Sequence, residues 1–299
     1  MRRAQGSIQY ANRKDTMSLV ITGATGHLGR LVVESLIARG TAPSDIVATG
    51  RSLDKLAALA DLGVRTAVLH YSRPETVAAT VAAGDTLLLV SGSEVGRRAP
   101  QHATVIAAAK KAGVARIVYT SAPKATTSAL VLAPEHKATE ETLVASGVPF
   151  TILRNGWYTE NYAGEIEKAR ESGSIVASVG DGRVASASRK DYADAAAVVL
   201  ADDGHVGAVY ELSGDVAWNF DELAAAIGGI VSRDVVYARL TPEEHTTMLA
   251  SYGLDEGTVG FVVALDGNIR DGLLEETSGD LARLIGRPTT PLAEGLAAA

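Results

Sequence analysis

The stretch that decides the fold runs Leu19-Val20-Ile21-Thr22-Gly23-Ala24-Thr25-Gly26-His27-Leu28-Gly29. Its first four residues are apolar or β-branched and predict a short buried strand. The glycines that follow permit a tight turn, a close approach of the backbone to a pyrophosphate, and close packing of a helix on the strand. A helix that begins at such a turn offers free N–H groups and the positive end of its dipole to an anion. The stretch therefore predicts a dinucleotide-binding loop, with contacts from Gly23, Thr25, Gly26, His27, Leu28 and Gly29.

Short apolar runs alternate with helical patterns from Met17 to about Leu153. The runs predict strands at 19–22, 46–49, 64–69, 86–90, 116–120 and 149–153. They lack polar alternation, which is typical of strands buried on both faces of a sheet. Regular alternation of strands and helices predicts the α/β class, with a Rossmann-type, doubly wound parallel sheet.

This alternation breaks after Leu153 and resumes briefly with a helix at 191–201 and a strand at 208–212. The remaining pieces do not fit the parallel sheet, and we interpret them as a smaller, interleaved α+β lobe that binds substrate. The predicted division is 17–155, with 186–213 returning to it, for the dinucleotide-binding Rossmann domain, and 156–185 with 214–299 for the substrate lobe.

The end of the second predicted strand indicates which dinucleotide is bound. A site selective for NAD places an acidic residue about 20 positions after the glycines, where it accepts hydrogen bonds from the ribose hydroxyls. Here the chain continues from Gly50 into Arg51 and Ser52. A guanidinium can form a bidentate pair with a 2′-phosphate. We therefore predict that the cofactor is NADP(H), with Arg51 on its 2′-phosphate.

Composition excludes several classes of function. The 28 basic and 35 acidic residues give a net charge of −7, which disfavours nucleic acid as a partner. The chain has no cysteine, so disulfides, thiolate nucleophiles and cysteine metal sites are excluded. Its apolar runs are too short to span a bilayer, and we predict a cytoplasmic protein without a membrane partner. Residues 1–16 are polar and basic, and we interpret them as a disordered leader outside the fold.

Further segments carry a family resemblance, and the most specific are Leu88-Leu89-Val90-Ser91-Gly92-Ser93-Glu94-Val95-Gly96 and Leu153-Arg154-Asn155-Gly156-Trp157-Tyr158-Thr159-Glu160-Asn161-Tyr162. They closely resemble the flavin-independent NAD(P)H:quinone oxidoreductases of type 2. These are NmrA-like atypical short-chain dehydrogenase/reductases, and the triphenylmethane reductases are near relatives. The resemblance extends from Met17 to about Leu296 and is more specific than the glycine loop alone.

The resemblance implies a site along the carboxyl ends of the strands. It implies that Ser91, Gly92 and Ser93 line the path to the nicotinamide ribose. It also implies that Asn155, Gly156 and Tyr158 lie near the nicotinamide. The quinone pocket would then include the aromatic residues Trp157, Tyr158 and Tyr162.

Two segments depart from the family pattern. After the third strand the chain has His70-Tyr71-Ser72-Arg73, where family members usually show an acidic residue and then an aromatic one. The resemblance therefore does not settle which residues contact the adenine. The segment 122–132 also differs, which leaves open the mouth of the pocket and, with it, the substrate.

The sequence offers few candidate acid–base residues for a ketone reductase. The region between Ser121 and Gly147 contains no Tyr-x-x-x-Lys pair. By resemblance, His136 falls near the position of a catalytic lysine and Ser121 near a hydroxyl that orients substrate, so both are candidate catalytic residues. The alternative for His136 is a surface or capping histidine on a helix that starts at Pro134. Reduction of a quinone is less demanding of an acid, because the product is a stabilised phenolate.

The leading hypothesis is an enzyme, an NADPH-dependent oxidoreductase that transfers hydride directly to a quinone without flavin or metal. No spacing of the six histidines indicates a metal site. One alternative changes the acceptor to an imine, an activated carbonyl or enone, or a triphenylmethane dye. The other is an NmrA-like regulator that senses NADP(H) without turnover. The expected partner is a small-molecule hydride acceptor, and the chain is expected to be a monomer or a homodimer.

Overall fold

The computed structural model describes residues 17–299. The predicted leader, residues 1–16, lies outside the described residues. The strands are β1 Leu19–Ile21, β2 Ile46–Gly50, β3 Arg65–Val68, β4 Thr86–Leu89, β5 Arg116–Ser121, β6 Phe150–Asn155, β7 Ser174–Ala177, β8 Arg183–Val184, β9 Val209–Leu212, β10 Trp218–Asn219 and β11 Val236–Arg239.

The helices follow each strand of the first half and dominate the second. They are α1 His27–Ala38, α2 Leu53–Ala60, α3 Pro74–Thr80, α4 Arg98–Ala112, α5 Ala133–Ser146, α6 Ala163–Ser172, α7 Arg189–Ala201, α8 Phe220–Val231, α9 Pro242–Ser251, α10 Glu256–Arg270, α11 Asp280–Ile285 and α12 Leu292–Ala297. Side-chain caps define several helix starts: Ser188 accepts from Asp191 N ahead of α7, and Asn219 forms a capping box with Glu222 ahead of α8.

Seven strands form one parallel sheet in the order β3-β2-β1-β4-β5-β6-β9. From β1 the chain adds β2 and β3 towards one edge of the sheet, and it then adds β4, β5, β6 and β9 towards the other edge. The strand order therefore reverses between β1 and β4, and ligands of doubly wound sheets bind at such a switch point. The predicted Rossmann-type sheet and the return of 191–201 and 208–212 to it are therefore confirmed.

Both faces of the large sheet are covered by helices. On one face, α1, α2, α7 and α11 bury a core that includes Val32, Leu36 and Leu281. On the other face, α3, α4 and α5 bury a core that includes Val105 and Leu143. Every residue of β2 and β5 is buried, as predicted. The prediction was wrong for β3, which is only partly buried because it is the edge strand of the sheet.

A third core lies among the later elements. Two small sheets border it, formed by β7 with β11 in parallel and by β8 with β10 antiparallel. Trp218, Phe220 and Tyr162 are buried within it. Ala122 and Leu130, which the sequence assigned to the Rossmann domain, also belong to this core. Leu281, which the sequence assigned to the substrate lobe, packs instead on the large sheet. The division at 155, 186 and 213 stays a prediction.

Within residues 17–299, every helix is too short or too polar to span a lipid bilayer.

Candidate functional site

A cleft of about 420 Å³ opens at the switch point of the large sheet. The glycine loop forms its floor, and all six predicted loop contacts line it: Gly23, Thr25, Gly26, His27, Leu28 and Gly29. Arg51, Ser91, Gly92 and Ser93 line it as well. The structure therefore brings together ten of the residues that the sequence assigned to the cofactor.

Two glycines at the floor of the cleft, Gly29 in the loop and Gly50 at the end of β2, have no space for a side chain. A Cβ atom on Gly29 would lie 2.4 Å from the carbonyl oxygen of Gly23, which itself has a φ of +60°. A Cβ atom on Gly50 would lie 2.5 Å from Cγ2 of Thr25. Gly26, the residue before α1, has no side chain to cap the first-turn N–H groups, which leaves them available to an anion. This cradle fits the pyrophosphate of a dinucleotide.

The opposite wall of the first cleft comes from the ends of β3 and β4. His70, Tyr71 and Ser72, where the sequence departs from the family pattern, all line it. The Tyr71 hydroxyl donates to the carbonyl oxygen of Val90 at 2.6 Å and lies 2.6 Å from the Thr22 hydroxyl. Burial raises the pKa of Tyr71, so its phenol stays protonated and ties the ends of β1, β3 and β4 together.

Buried side chains fix the backbone of Gly92, between β4 and α4. Its N–H donates to His102 Nε2 at 3.0 Å, and its carbonyl oxygen accepts from Arg98 Nε at 2.7 Å. His102 Nδ1 lies 3.1 Å from the Thr139 hydroxyl, and Arg98 is paired with Glu135 at 3.0 Å. Burial, assisted by Arg98, lowers the pKa of His102 to about 3. His102 is therefore neutral, with its proton on Nδ1. Thr139 and Glu135 on α5 thus hold His102 and Arg98 on α4, and these two in turn hold Gly92 at the first cleft.

A second cleft of about 370 Å³ lies beside the first along the carboxyl edge of the sheet, at the ends of β5, β6 and β9. It is lined by Pro123, Lys124, Thr127, Ser128, Ala129, Gly156, Glu211, Leu212, Ser213, Gly272, Leu273, Leu274, Glu276 and Ser278. Lys124 and Glu276 form an ion pair at its rim. A Cβ atom on Gly156 would lie 2.8 Å from the carbonyl oxygen of Leu212, so only glycine fits there.

A charged network lies behind this cleft. Arg154 pairs with Glu140 and with Glu211, each at 2.7 Å. The two carboxylates, Glu140 first, raise the pKa of the Arg154 guanidinium, although burial acts against them. The hydroxyl of Ser121 donates to Glu140 at 2.6 Å. Ser121 is buried with its hydrogen bond committed to this network, and its predicted catalytic role stays a prediction.

The structure does not place His136 at either cleft. It is buried in the first turns of α5, and its Nδ1 lies 2.8 Å from the Tyr119 hydroxyl. The alternative of a surface histidine is wrong, because α5 turns this residue onto the large sheet. Burial, Arg98 and His102 lower the pKa of His136 to about 3. A neutral, buried imidazole is a poor proton donor near neutrality, so the structure gives its predicted catalytic role no support.

Three of the remaining predicted residues, Asn155, Gly156 and Tyr158, lie close together at the end of β6. Asn155 Nδ2 donates to the Tyr158 hydroxyl at 3.4 Å, and the buried Asn155 Oδ1 has no hydrogen-bond partner among residues 17–299. Tyr158 packs edge-on against Tyr192, with Arg189 over its ring. None of the three predicted aromatic pocket residues lines the second cleft: Trp157 and Tyr162 pack into the third core, and Tyr162 contacts Trp218 and Phe220.

Several lining residues had no role in the sequence predictions. In the first cleft these include Lys55, Glu94, Arg97 and Gln101. Lys55 follows Arg51 by four residues, and a second cation so close to the first is a signal that could have found it. In the second cleft, Lys124 falls in the segment 122–132 that was expected to form an altered mouth. By contrast, residues 272–278 carry no sequence motif that could have indicated them. Only the packing of the later elements brings them to the end of β6.

Comparisons with known proteins show which family the chain belongs to. A family described as NAD(P)H-binding matches residues 23–203. Quinone oxidoreductase 2 of Escherichia coli (strain K12) is 45% identical over 93% of this chain and 97% of that protein. The chain belongs to the NmrA-like NAD(P)H-binding family. The family resemblance expected from the sequence is therefore confirmed.

Solved structures of the family show the same fold. The NADPH-dependent quinone oxidoreductase of E. coli, complexed with NADPH, superposes with a TM-score of 0.89 at 45% identity, covering 94% of this chain and 99% of that chain. The triphenylmethane reductase of Citrobacter sp., complexed with NADP(H), superposes with a TM-score of 0.87 at 37% identity, covering 93% and 99%.

Proposed function

We propose that this chain is an NADPH-dependent oxidoreductase that reduces quinones by direct hydride transfer, without flavin or metal. The observation that carries the proposal is the pair of clefts along the carboxyl edge of one sheet. The first is a glycine cradle with Arg51 beside it, and the second is a mainly apolar space that begins at Gly156. Similarity to a quinone oxidoreductase that binds NADPH supports this assignment.

The residues of the first cleft would hold the cofactor. The N–H groups at the start of α1 suit the pyrophosphate, and Arg51 suits the 2′-phosphate. Gly92, fixed by His102 and Arg98, lies between Ser91 and Ser93, and all three line the cleft where they would contact the cofactor. Bound NADPH supplies the hydride, and the walls of the two clefts align donor and acceptor and exclude water.

The available acid–base groups favour a quinone over a simple ketone. The titratable residues that line the second cleft are Lys124, Glu211 and Glu276, and each is engaged in an ion pair. A quinone accepts hydride to give a phenolate, which can be protonated by solvent after transfer. Positioning of the two reactants then contributes most of the catalysis.

The test is NADPH oxidation by the purified chain with a panel of acceptors, followed by the loss of NADPH absorbance. The panel contains a benzoquinone, a naphthoquinone, a cyclic imine, an activated ketone and a triphenylmethane dye, with NADH in parallel. We expect turnover of the quinones and a preference for NADPH. Turnover of the imine or ketone but not of quinones would contradict the proposal. Tight NADPH binding without oxidation by any acceptor would favour the regulator.

A cationic dye is the second candidate acceptor. The second cleft presents the carboxylates of Glu211 and Glu276 against one lysine, Lys124. Both carboxylates are already paired, Glu276 with Lys124 and Glu211 with Arg154, so they leave no net negative charge to select a cation. The similarity to triphenylmethane reductase is what supports this candidate. The cytoplasmic location and the monomeric or dimeric state stay predictions.

A further inference from the structure

An ion pair joins the two sides of the first cleft. Arg51 follows β2, Glu94 follows β4, and Arg51 Nη1 lies 3.1 Å from Glu94 Oε1. The other carboxylate oxygen of Glu94 accepts from Gln101 Nε2 at 3.0 Å and lies 4.0 Å from Arg97 Nη1. The guanidinium that suits the 2′-phosphate is therefore already paired with a carboxylate of the same chain.

This pair can exchange partners at low cost. The side chains of Arg51 and Glu94 are 70% and 39% exposed, and exposed ion pairs stabilise a protein by no more than about 1 kcal/mol. When Arg51 turns to another anion, Glu94 keeps its bond to Gln101 and has Arg97 as a second cation within reach. A phosphate dianion is a stronger partner for a guanidinium than a single carboxylate.

We propose that Glu94 competes with the cofactor 2′-phosphate for Arg51 and thereby limits the affinity of the cleft for NADP(H). This inference rests on the proposed use of NADPH. The oxidised and reduced cofactors carry the same 2′-phosphate, so Glu94 weakens both. The same competition reduces the discrimination against NADH that Arg51 alone would give.

The test uses two probes that differ only in the phosphate at issue: adenosine 2′,5′-bisphosphate and adenosine 5′-monophosphate. Their binding is measured by calorimetry for the parent chain, Glu94→Gln, Arg51→Met and the double variant. We expect Glu94→Gln to tighten the bisphosphate about three- to fivefold, the range for an exposed pair, with the monophosphate unchanged. In the Arg51→Met background this gain should disappear, because no shared guanidinium remains.

The matched control is Glu167→Gln, which removes the carboxylate of the exposed Arg170–Glu167 pair on α6 and changes the net charge equally. It should leave both affinities unchanged. An equal gain for both probes, or a gain that persists with Met at position 51, would overturn the competition. A parent chain that binds both probes equally would overturn the proposed NADPH preference itself. If the parent discriminates but Glu94→Gln has no effect, only the present inference fails.

Discussion

At Gly29, the neighbouring backbone leaves no room for a side chain. A Cβ atom there would lie 2.4 Å from Gly23 O, 2.7 Å from Gly23 C and 2.8 Å from Ala24 Cα. Backbone atoms cannot move aside as the end of a flexible side chain can. Any substitution must therefore push α1 away from the glycine loop.

We expect Gly29→Ala to destabilise the chain by about 1–3 kcal/mol, as overpacking does, and to weaken NADPH binding sharply. Urea unfolding and a fluorescence titration with NADPH measure the two effects. The control is Gly229→Ala in α8, where a Cβ atom would meet nothing within 4 Å. That change should be neutral or stabilise the chain by up to about 1 kcal/mol. Equal effects of the two substitutions would contradict this account.

The two buried histidines, His102 and His136, predict a pH dependence of stability. Each has a pKa of about 3 in the folded chain against an ordinary value of 6.5. Between those values the unfolded chain binds protons that the folded chain does not. The contribution to stability is therefore complete above about pH 6.5 and is lost progressively as the pH falls.

We expect the free energy of unfolding to fall by about 2 kcal/mol per buried histidine between pH 7 and pH 5. His136→Gln should flatten this dependence and leave the pH profile of kcat near neutrality unshifted, since His136 does not titrate there. Urea unfolding across the pH range and steady-state kinetics provide the two readouts. Parallel stability curves for the parent and the variant would contradict the pKa assignment, and a shifted kcat profile would restore His136 as a catalytic candidate.

Among the elements, β5, β6, β9 and α5 share one charged network. Arg154 on β6 bridges Glu140 on α5 and Glu211 on β9, and Glu140 also accepts from Ser121 on β5. Because Glu140 is buried, loss of its cation would leave an uncompensated charge inside the chain.

Arg154→Met should therefore destabilise the chain by about 3–5 kcal/mol, measured by thermal or urea unfolding. Adding Glu140→Leu to it should restore much of the loss, because the buried charge is then removed as well. Arg30→Met breaks an exposed pair with Glu34 and should cost less than about 1 kcal/mol. A similar cost for Arg154→Met and Arg30→Met would show that Glu140 is not effectively desolvated.

For the whole molecule, the second cleft depends on segments far apart in the chain. Lys124 belongs to the β5–α5 segment and Glu276 to the α10–α11 segment, and their ion pair spans the rim of the cleft. We expect this pair to narrow the mouth of the cleft, because both side chains line it and are more than half exposed where they meet.

We expect Lys124→Met to raise kcat/KM for a naphthoquinone relative to a benzoquinone by about two- to fivefold, because an exposed pair is weak and its loss opens the rim. Steady-state kinetics with both quinones measure the ratio. Lys137→Met, which removes an exposed cation paired with Glu141 on α5, is the control and should not change the ratio. A uniform change for both acceptors would mean that Lys124 does not select by size.

The sequence by itself determined the parallel sheet, the glycine cradle and the position of Arg51. These features depend on local patterns: buried strands are short apolar runs, and a tight turn before a helix requires glycine at fixed spacings. All six strands predicted between residues 17 and 155 are present. The family motifs also placed Ser91, Gly92 and Ser93 at the first cleft.

Only the tertiary structure decided which polar side chains face a cleft and which are paired or buried within the fold. Glu94 meets Arg51 across 43 positions of the chain, and Arg154 meets Glu211 across 57. Such pairs leave no periodic signal, since each depends on how strands and helices pack rather than on the residues beside it. His136 and Tyr162 resembled site residues in the sequence, yet helix α5 and the third core bury them. Burial decides what these side chains can do, because it disfavours their charged forms and keeps them out of contact with a substrate.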